Sequence, residues 1–248
     1  MAVDEAILAG VAEDFSPPTL RFYSFSPPAV TIGRFQRFTE ELRERAESLD
    51  LDVVRRPTGG RAVVHGNDLA YSVTASVHDP VFGGTMRETY RRISERLANA
   101  FSMLGMEVSY QPGSRHQKYQ ASASCFDTSV LHELRMGGEK IAGSAQTRHS
   151  GAFLQQGTIA LTRPQVDHSF LFGDHTRTPS GVHSLCGRRV AYVELADALC
   201  TAFGAGADFE DLNPVEKRRV EALVTKYASA DWTQFGKSLC AVGSYEVT

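Results

Sequence analysis

The chain has 248 residues, 42% hydrophobic and 22% charged, enough to bury a substantial core and ordinary for a globular protein. Its formal net charge of -3 argues against general nucleic-acid binding, where a basic balance is expected. It has no run of 18 or more apolar residues, and the N-terminus lacks a basic stretch leading into an apolar one, so a cytoplasmic protein with no membrane span and no secretory signal is expected.

Val3, Ile7 and Val11 recur on one helical face, and this first helix ends before Pro17 and Pro18. Residues 20–25 and 29–32 read as strands separated by Pro27 and Pro28, and residues 40–48 as a helix. Residues 53–56 and 61–65 read as two strands meeting at the Thr58, Gly59, Gly60 turn. Leu69, Tyr71, Val73 and Ala75 then alternate as in a half-buried third strand. Tyr90, Ile93, Leu97, Phe101 and Leu104 recur at spacings of three and four, with Arg91, Arg92, Glu95 and Arg96 on the outer side, and predict a helix that stops near Gly105.

Residues 106–110 read as a strand and residues 111–124 as a polar, turn-rich connection of the kind that carries function. Gly137 and Gly138 join residues 131–136 and 139–142 as a hairpin, and residues 153–161 form a further strand. Residues 162–187 predict a short helix over 166–172 and then an irregular, mobile surface loop. Residues 192–203 and 214–228 close the chain as helices, the second with Asn213 as cap and Pro214 in its first turn. Interleaved elements with many hairpin connections predict an α+β fold, with a mixed, largely antiparallel sheet flanked by helices. A single catalytic domain over residues 1–248 is expected, with a helical C-terminal part at about 188–248.

Two segments carry the chemistry. The first, RRPTGGRAVVHGNDLAYS over residues 55–72, sets Arg55, Arg56 and Arg61 around the Gly59, Gly60 turn. Glycines let the backbone approach a ligand closely, and the three cations suit an anionic or strongly polar guest. Neither GxxxxGK[ST] nor GxGxxG occurs. The second segment is KIAGSAQTR over residues 140–148, followed by GAFLQQGTIAL over 151–161.

Together these segments resemble the biotin/lipoate ligase and octanoyltransferase superfamily. The opening MAVDEAILAG, the stretch PPTLRFYSFSPPAVTIGRFQ and the late KYASADW extend the likeness over most of the chain. The resemblance implies the fold of biotin/lipoate ligases, related to class II aminoacyl-tRNA synthetase catalytic domains. It also implies an acyl-binding tunnel. Arg56, Thr58, Gly59, Gly60, Arg61, His65 and Tyr71 would line it from the first segment, and Gly143, Ser144, Ala145, Gln146 and Gly157 from the second, with Lys140 meeting the acyl carbonyl.

Cys125, in SASCFDTSVLHEL over residues 122–134, resembles the nucleophilic cysteine of the octanoyltransferase branch. A thiolate suits exchange between thioesters, and a neighbouring cation raises the thiolate fraction. Lys140, brought back by the glycine hairpin, is the candidate cation. His116 and His132 near Cys125 lack a fourth metal ligand, so neither a metal nor another cofactor is expected. Cys125, Cys186, Cys200 and Cys240 show no CxxC spacing and read as reduced thiols.

Two departures limit what carries over from the family, and the differences from the ligase branch favour the transferase branch. Gln156 stands where family members often carry His before Gly157, and an amide cannot act as a base near neutral pH. Gly59, Gly60, Arg61 replace the Thr/Ser-Gly-Gly-Gly usual in ligases, and no accessory domain is visible before the chain ends at Thr248. The function expected is transfer of an octanoyl group from an acyl-carrier-protein thioester to a lysine of a lipoyl domain, in the glycine cleavage H protein or a dehydrogenase E2 subunit, through a thioester on Cys125. The alternatives are an ATP-dependent lipoate ligase, with Arg61 and Lys140 on an acyl-adenylate, and a non-catalytic acyl-binding subunit. Arg37 and Arg115 are candidate contacts for the acidic carrier.

Overall fold

The computed structural model describes residues 1–110, 134–173, 176–204 and 209–236. Cys125, Arg115, His116, His132, Cys240, Thr248 and the expected connection over 111–124 lie outside the described residues.

Alternating apolar residues build the central sheet. Strands β1 (Thr19–Tyr23), β5 (Asp68–Ser76), β10 (Ala152–Ala160) and β9 (Ala142–His149) follow one another in the order β1-β5-β10-β9, every neighbour antiparallel. Leu69, Tyr71, Val73 and Ala75 on β5 turn into the main core, where Ile93, Leu97 and Phe101 of helix α3 (Met86–Met103) and Leu195 and Leu199 of helix α6 (Tyr192–Phe203) meet them. Thr85 and Glu88 close a reciprocal capping box at the start of α3.

The expectation that β5 is half-buried is corrected by the opposite face. Helix α1 (Ala2–Ala12) lays Ile7, Leu8 and Val11 over Ala152 and Leu154 there, and residues 68–75 of β5 are all buried. Alternation identifies one apolar face. It does not exclude a helix on the other.

A second correction concerns the glycine turn. Strands β2 (Ala29–Ile32), β3 (Asp52–Arg55) and β4 (Val63–His65) form a small sheet in the order β3-β2-β4, parallel on one side and antiparallel on the other. The two strands flanking the turn therefore do not pair with each other, because β2 lies between them. The intervening residues must carry the chain across that strand, and helix α2 (Glu40–Ser48) connects β2 to β3 on the other side.

Strands β6 (Ser109–Tyr110), β7 (Leu134–Met136) and β8 (Glu139–Lys140) form a third, antiparallel sheet. Gly137 and Gly138 take φ of +57° and +84° between β7 and β8, as the two-residue turn predicts. The strand expected over 106–110 is shorter, since Met106 still bonds back to the Phe101 carbonyl. Helix α4 (His168–Phe172) occupies the expected place. Within the segment expected to be an irregular loop stands α5 (Val182–Cys186), whose Val182 is fully buried in the main core and anchors it. Helix α7 (Pro214–Ala228), capped by Asn213, packs on α1, and the short α8 (Ala230–Phe235) was not foreseen. No helix among the described residues is long and apolar enough to cross a membrane.

Candidate functional site

A narrow slot opens between the small sheet and the β9 and β10 edge of the central sheet. Arg56, Val63 and His65 line it from the first sequence segment, and Gly143, Ser144, Ala145 and Gly157 from the second. The slot is narrow, with a cavity volume of only about 30 Å³. A single unbranched chain fits such walls better than a bulky group.

Local rules explain how the glycine turn is held beside the slot, although Thr58, Gly59, Gly60 and Arg61 are not among the residues that line it. Gly60 has φ of +81°, a region open to glycine, and a Cβ on Gly33 would run into the Gly60 carbonyl oxygen. The turn is thus pressed against the end of β2, where the Arg34 amide donates to the Thr58 carbonyl at 2.8 Å. Arg56 is buried behind it and donates to the carbonyls of Gly59 (2.7 Å), Arg61 (2.8 Å) and Thr31 (3.3 Å). Its guanidinium therefore organises the turn as well as lining the slot. Arg61 is buried too, and its carbonyl belongs to this network.

Arg55 does not face a guest. It is buried and donates to the carbonyls of Trp232, Thr233 and Gln234 of α8 and to those of Gly33, Arg34 and Gln36, while the Trp232 indole donates to the Arg55 carbonyl. The expected cation for an anionic ligand is a staple for the last described helix.

Across the central sheet, Tyr71, Gly157 and Ser144 lie side by side on β5, β10 and β9. The Tyr71 ring crosses Gly157 so that its hydroxyl meets Ser144 Oγ at 2.6 Å. Burial pushes the Tyr71 phenol up, so it stays a neutral hydrogen-bonding group. Gln146 turns away from the slot and bonds to Thr89 of α3 and to Gln155. Lys140 is buried on β8 and is not among the residues that line the slot.

Sequence reasoning missed the charged centre under the floor. Asp4 is fully buried and accepts from Arg21 (2.7 Å), Ser72 (2.9 Å), Tyr23 (3.1 Å) and Gln156 Nε2 (2.7 Å). Burial alone would push this carboxyl up, but Arg21, the N-terminal amine, Gln156 and Ser72 outweigh it and hold Asp4 below the usual carboxylate range. The Gln156 amide also accepts from the Thr58 hydroxyl at 2.8 Å. It is a linker from α1 to the glycine turn, and an amide is neither acid nor base near neutral pH. One signal was present: Asp4 occupies the helical stripe shared by Ile7, Leu8 and Val11, where an apolar residue belongs.

His65 forms the far wall. Arg56 donates to Thr31 Oγ1 at 3.2 Å, which leaves the Thr31 hydroxyl to donate to His65 Nε2 at 2.9 Å. Nδ1 then carries the ring proton and donates to Asp68 Oδ2 at 2.6 Å, a tautomer assigned from the network. Asp68 also accepts from the Thr158 hydroxyl and from the Gly66 amide. Burial would raise the Asp68 carboxyl, but His65, Thr158 and Gly66 together hold it below the ordinary value. Phe25 stacks on the imidazole with centroids 4.1 Å apart. The polar atoms of the slot thus largely satisfy one another, and the arrangement is suited to holding an uncharged chain.

The match to the family described as lipoyl protein ligase A/B catalytic domain covers residues 1–201. The octanoyltransferase LipM of Moorella thermoacetica is 36% identical over 250 residues, covering 94% of this chain and 92% of that protein. The octanoyltransferase LipM of Anoxybacillus flavithermus is 42% identical over 258 residues with the same coverage. Among solved structures, a bipartite lipoate protein ligase of Thermoplasma acidophilum, described with its E2 lipoyl domain, matches with a TM-score of 0.72 and 24% identity, over 94% of this chain and 89% of that one. A lipoate-protein ligase A bound with ATP matches with a TM-score of 0.69 and 24% identity, over 94% and 92%. At that identity the structures establish the fold.

Proposed function

The chain belongs to the lipoyl protein ligase A/B catalytic-domain family, and from that membership we propose that it is an octanoyltransferase of protein lipoylation, working in the cytoplasm. The reading is carried by likeness, over 94% of this chain, to relatives named octanoyltransferases. A slot narrow enough for one unbranched chain is consistent with it. The donor is the octanoyl thioester of an acyl-carrier protein, and the acceptor is a lysine of a lipoyl domain, on a dehydrogenase E2 subunit or a glycine cleavage H protein.

Two steps follow from the chemistry. The Cys125 thiolate attacks the donor carbonyl, and the carrier thiolate leaves as the new thioester forms. The acceptor amine then attacks that thioester, loses a proton as the amide forms, and releases the Cys125 thiolate. Lys140 is assigned the oxyanion of each tetrahedral intermediate, a role that requires its ammonium to reach past Gly143 and Ser144, since it does not itself line the slot. Because the donor is already activated, no nucleotide is consumed.

Incubation with octanoyl-acyl-carrier protein should add one octanoyl mass to the peptide containing Cys125, removable by hydroxylamine. Octanoyl should then pass to an apo lipoyl domain without ATP. Cys125→Ala should abolish both adduct and transfer. An alanine variant with full activity, above all one that needs ATP and magnesium, would overturn the transferase reading in favour of a ligase.

A further inference from the structure

A second, wider cavity lies directly behind the slot. Pro27, Pro28, Leu51, Val64, Ala160 and Val166 contribute apolar lining to a volume of about 340 Å³, against about 30 Å³ in the slot. His65 and Thr158 line both spaces. The two are therefore separated by little more than one layer of side chains, and that layer is the hydrogen-bonded set of His65, Asp68 and Thr158.

We propose that this set is a partition that limits the acyl chain the slot accepts, and that removing it admits longer straight-chain acyl groups into the second cavity. The proposal rests on the octanoyltransferase reading for the identity of the guest. Its physical basis is the asymmetry between making and breaking buried polar contacts. The imidazole bonds through both nitrogens, to Thr31 and Asp68, and Phe25 covers its face. Asp68 holds Thr158 and the Gly66 amide as well. A methylene that pushed through would leave several of these groups without partners, and hydrocarbon cannot replace them. The chain stops where the partition stands, although the space beyond is wider and carries apolar lining from Pro27, Leu51, Val64 and Ala160.

The test compares octanoyl, decanoyl and dodecanoyl thioesters of acyl-carrier protein as donors. In parallel, calorimetry measures the binding of octanoic and dodecanoic acid. His65→Ala should raise the dodecanoyl-to-octanoyl ratio of kcat/KM at least tenfold, since each further buried methylene is worth about fourfold. Thr158→Ala keeps the imidazole and carboxylate together, should shift the ratio in the same direction, and carries the test if His65→Ala does not fold. Ala160→Leu narrows only the second cavity. It should leave wild-type octanoyl transfer unchanged and, added to His65→Ala, cancel the gain for dodecanoyl. Folded variants that keep the wild-type ratio in transfer and binding would overturn the proposal, as would an Ala160→Leu double variant that retains the gain. A wild-type protein that prefers octanoic to dodecanoic acid but transfers nothing would sink the transferase reading and leave the partition standing.

Discussion

The ring of Tyr71 passes over Gly157 so closely that a Cβ on the glycine would stand 2.5 Å from both Cε1 and the hydroxyl oxygen. The absence of a side chain on β10 thus lets a tyrosine of β5 reach Ser144 of β9. Gly157→Ala should force the ring out of register, destabilise the protein by about 1–3 kcal/mol and weaken octanoic acid binding. Tyr71→Phe keeps the ring and loses one hydrogen bond, at about 1 kcal/mol. Denaturant melts of the two variants check the order, and a Gly157→Ala protein as stable as wild type would contradict the packing argument.

Asp4 ties acid stability to the floor of the slot. Its folded pKa lies below the ordinary value of 3.8, so its stabilising effect is fully present above that value and is lost as pH falls from there through the folded pKa. Asp68 acts in the same direction. Asp4→Asn should be less stable near neutral pH, and its stability should decline less steeply below pH 3.8 than that of wild type. Unfolding free energies measured on both sides of that pH should converge for the two proteins in acid.

Arg55 joins residues 177 to 179 positions away in sequence. Arg55→Lys keeps the charge but cannot match a fork of donors spread over six carbonyls, and each buried carbonyl left without a partner costs about 1–3 kcal/mol. Both Arg55→Lys and Arg55→Ala should lower the melting temperature and speed proteolysis within α8. Octanoyl transfer per folded molecule should change far less than stability does. A lysine variant with wild-type melting would show that the charge alone suffices.

Arg37 is exposed beside Phe35 and Phe235, which are 90% and 61% exposed. This open cationic and aromatic surface suits an acidic carrier protein, whose encounter should weaken as salt screens charges beyond about 8 Å. The KM for octanoyl-acyl-carrier protein should rise with ionic strength, and Arg37→Glu should raise it at low salt with little change in kcat. A KM that stays flat across the salt series, in wild type and variant alike, would remove this surface from consideration.

Much of this protein was determined locally. Helix α2 and the closing helices follow from periodicity and from caps such as Asn213, and the β7 to β8 turn from two glycines able to take positive φ. The family likeness singled out Arg56, His65, Gly143, Ser144, Ala145 and Gly157, which the fold assembles around one slot. Tertiary structure decided what those residues do. Arg55 and Arg56 read alike in sequence, yet one staples α8 and the other braces the glycine turn, because only the folded chain determines which carbonyls face each guanidinium. Asp4 and Gln156 are partners across 152 positions, and the two strands beside the turn are separated by β2. Such pairings leave no periodic trace, since hydrophobic spacing encodes which face of an element is buried and not what is buried against it.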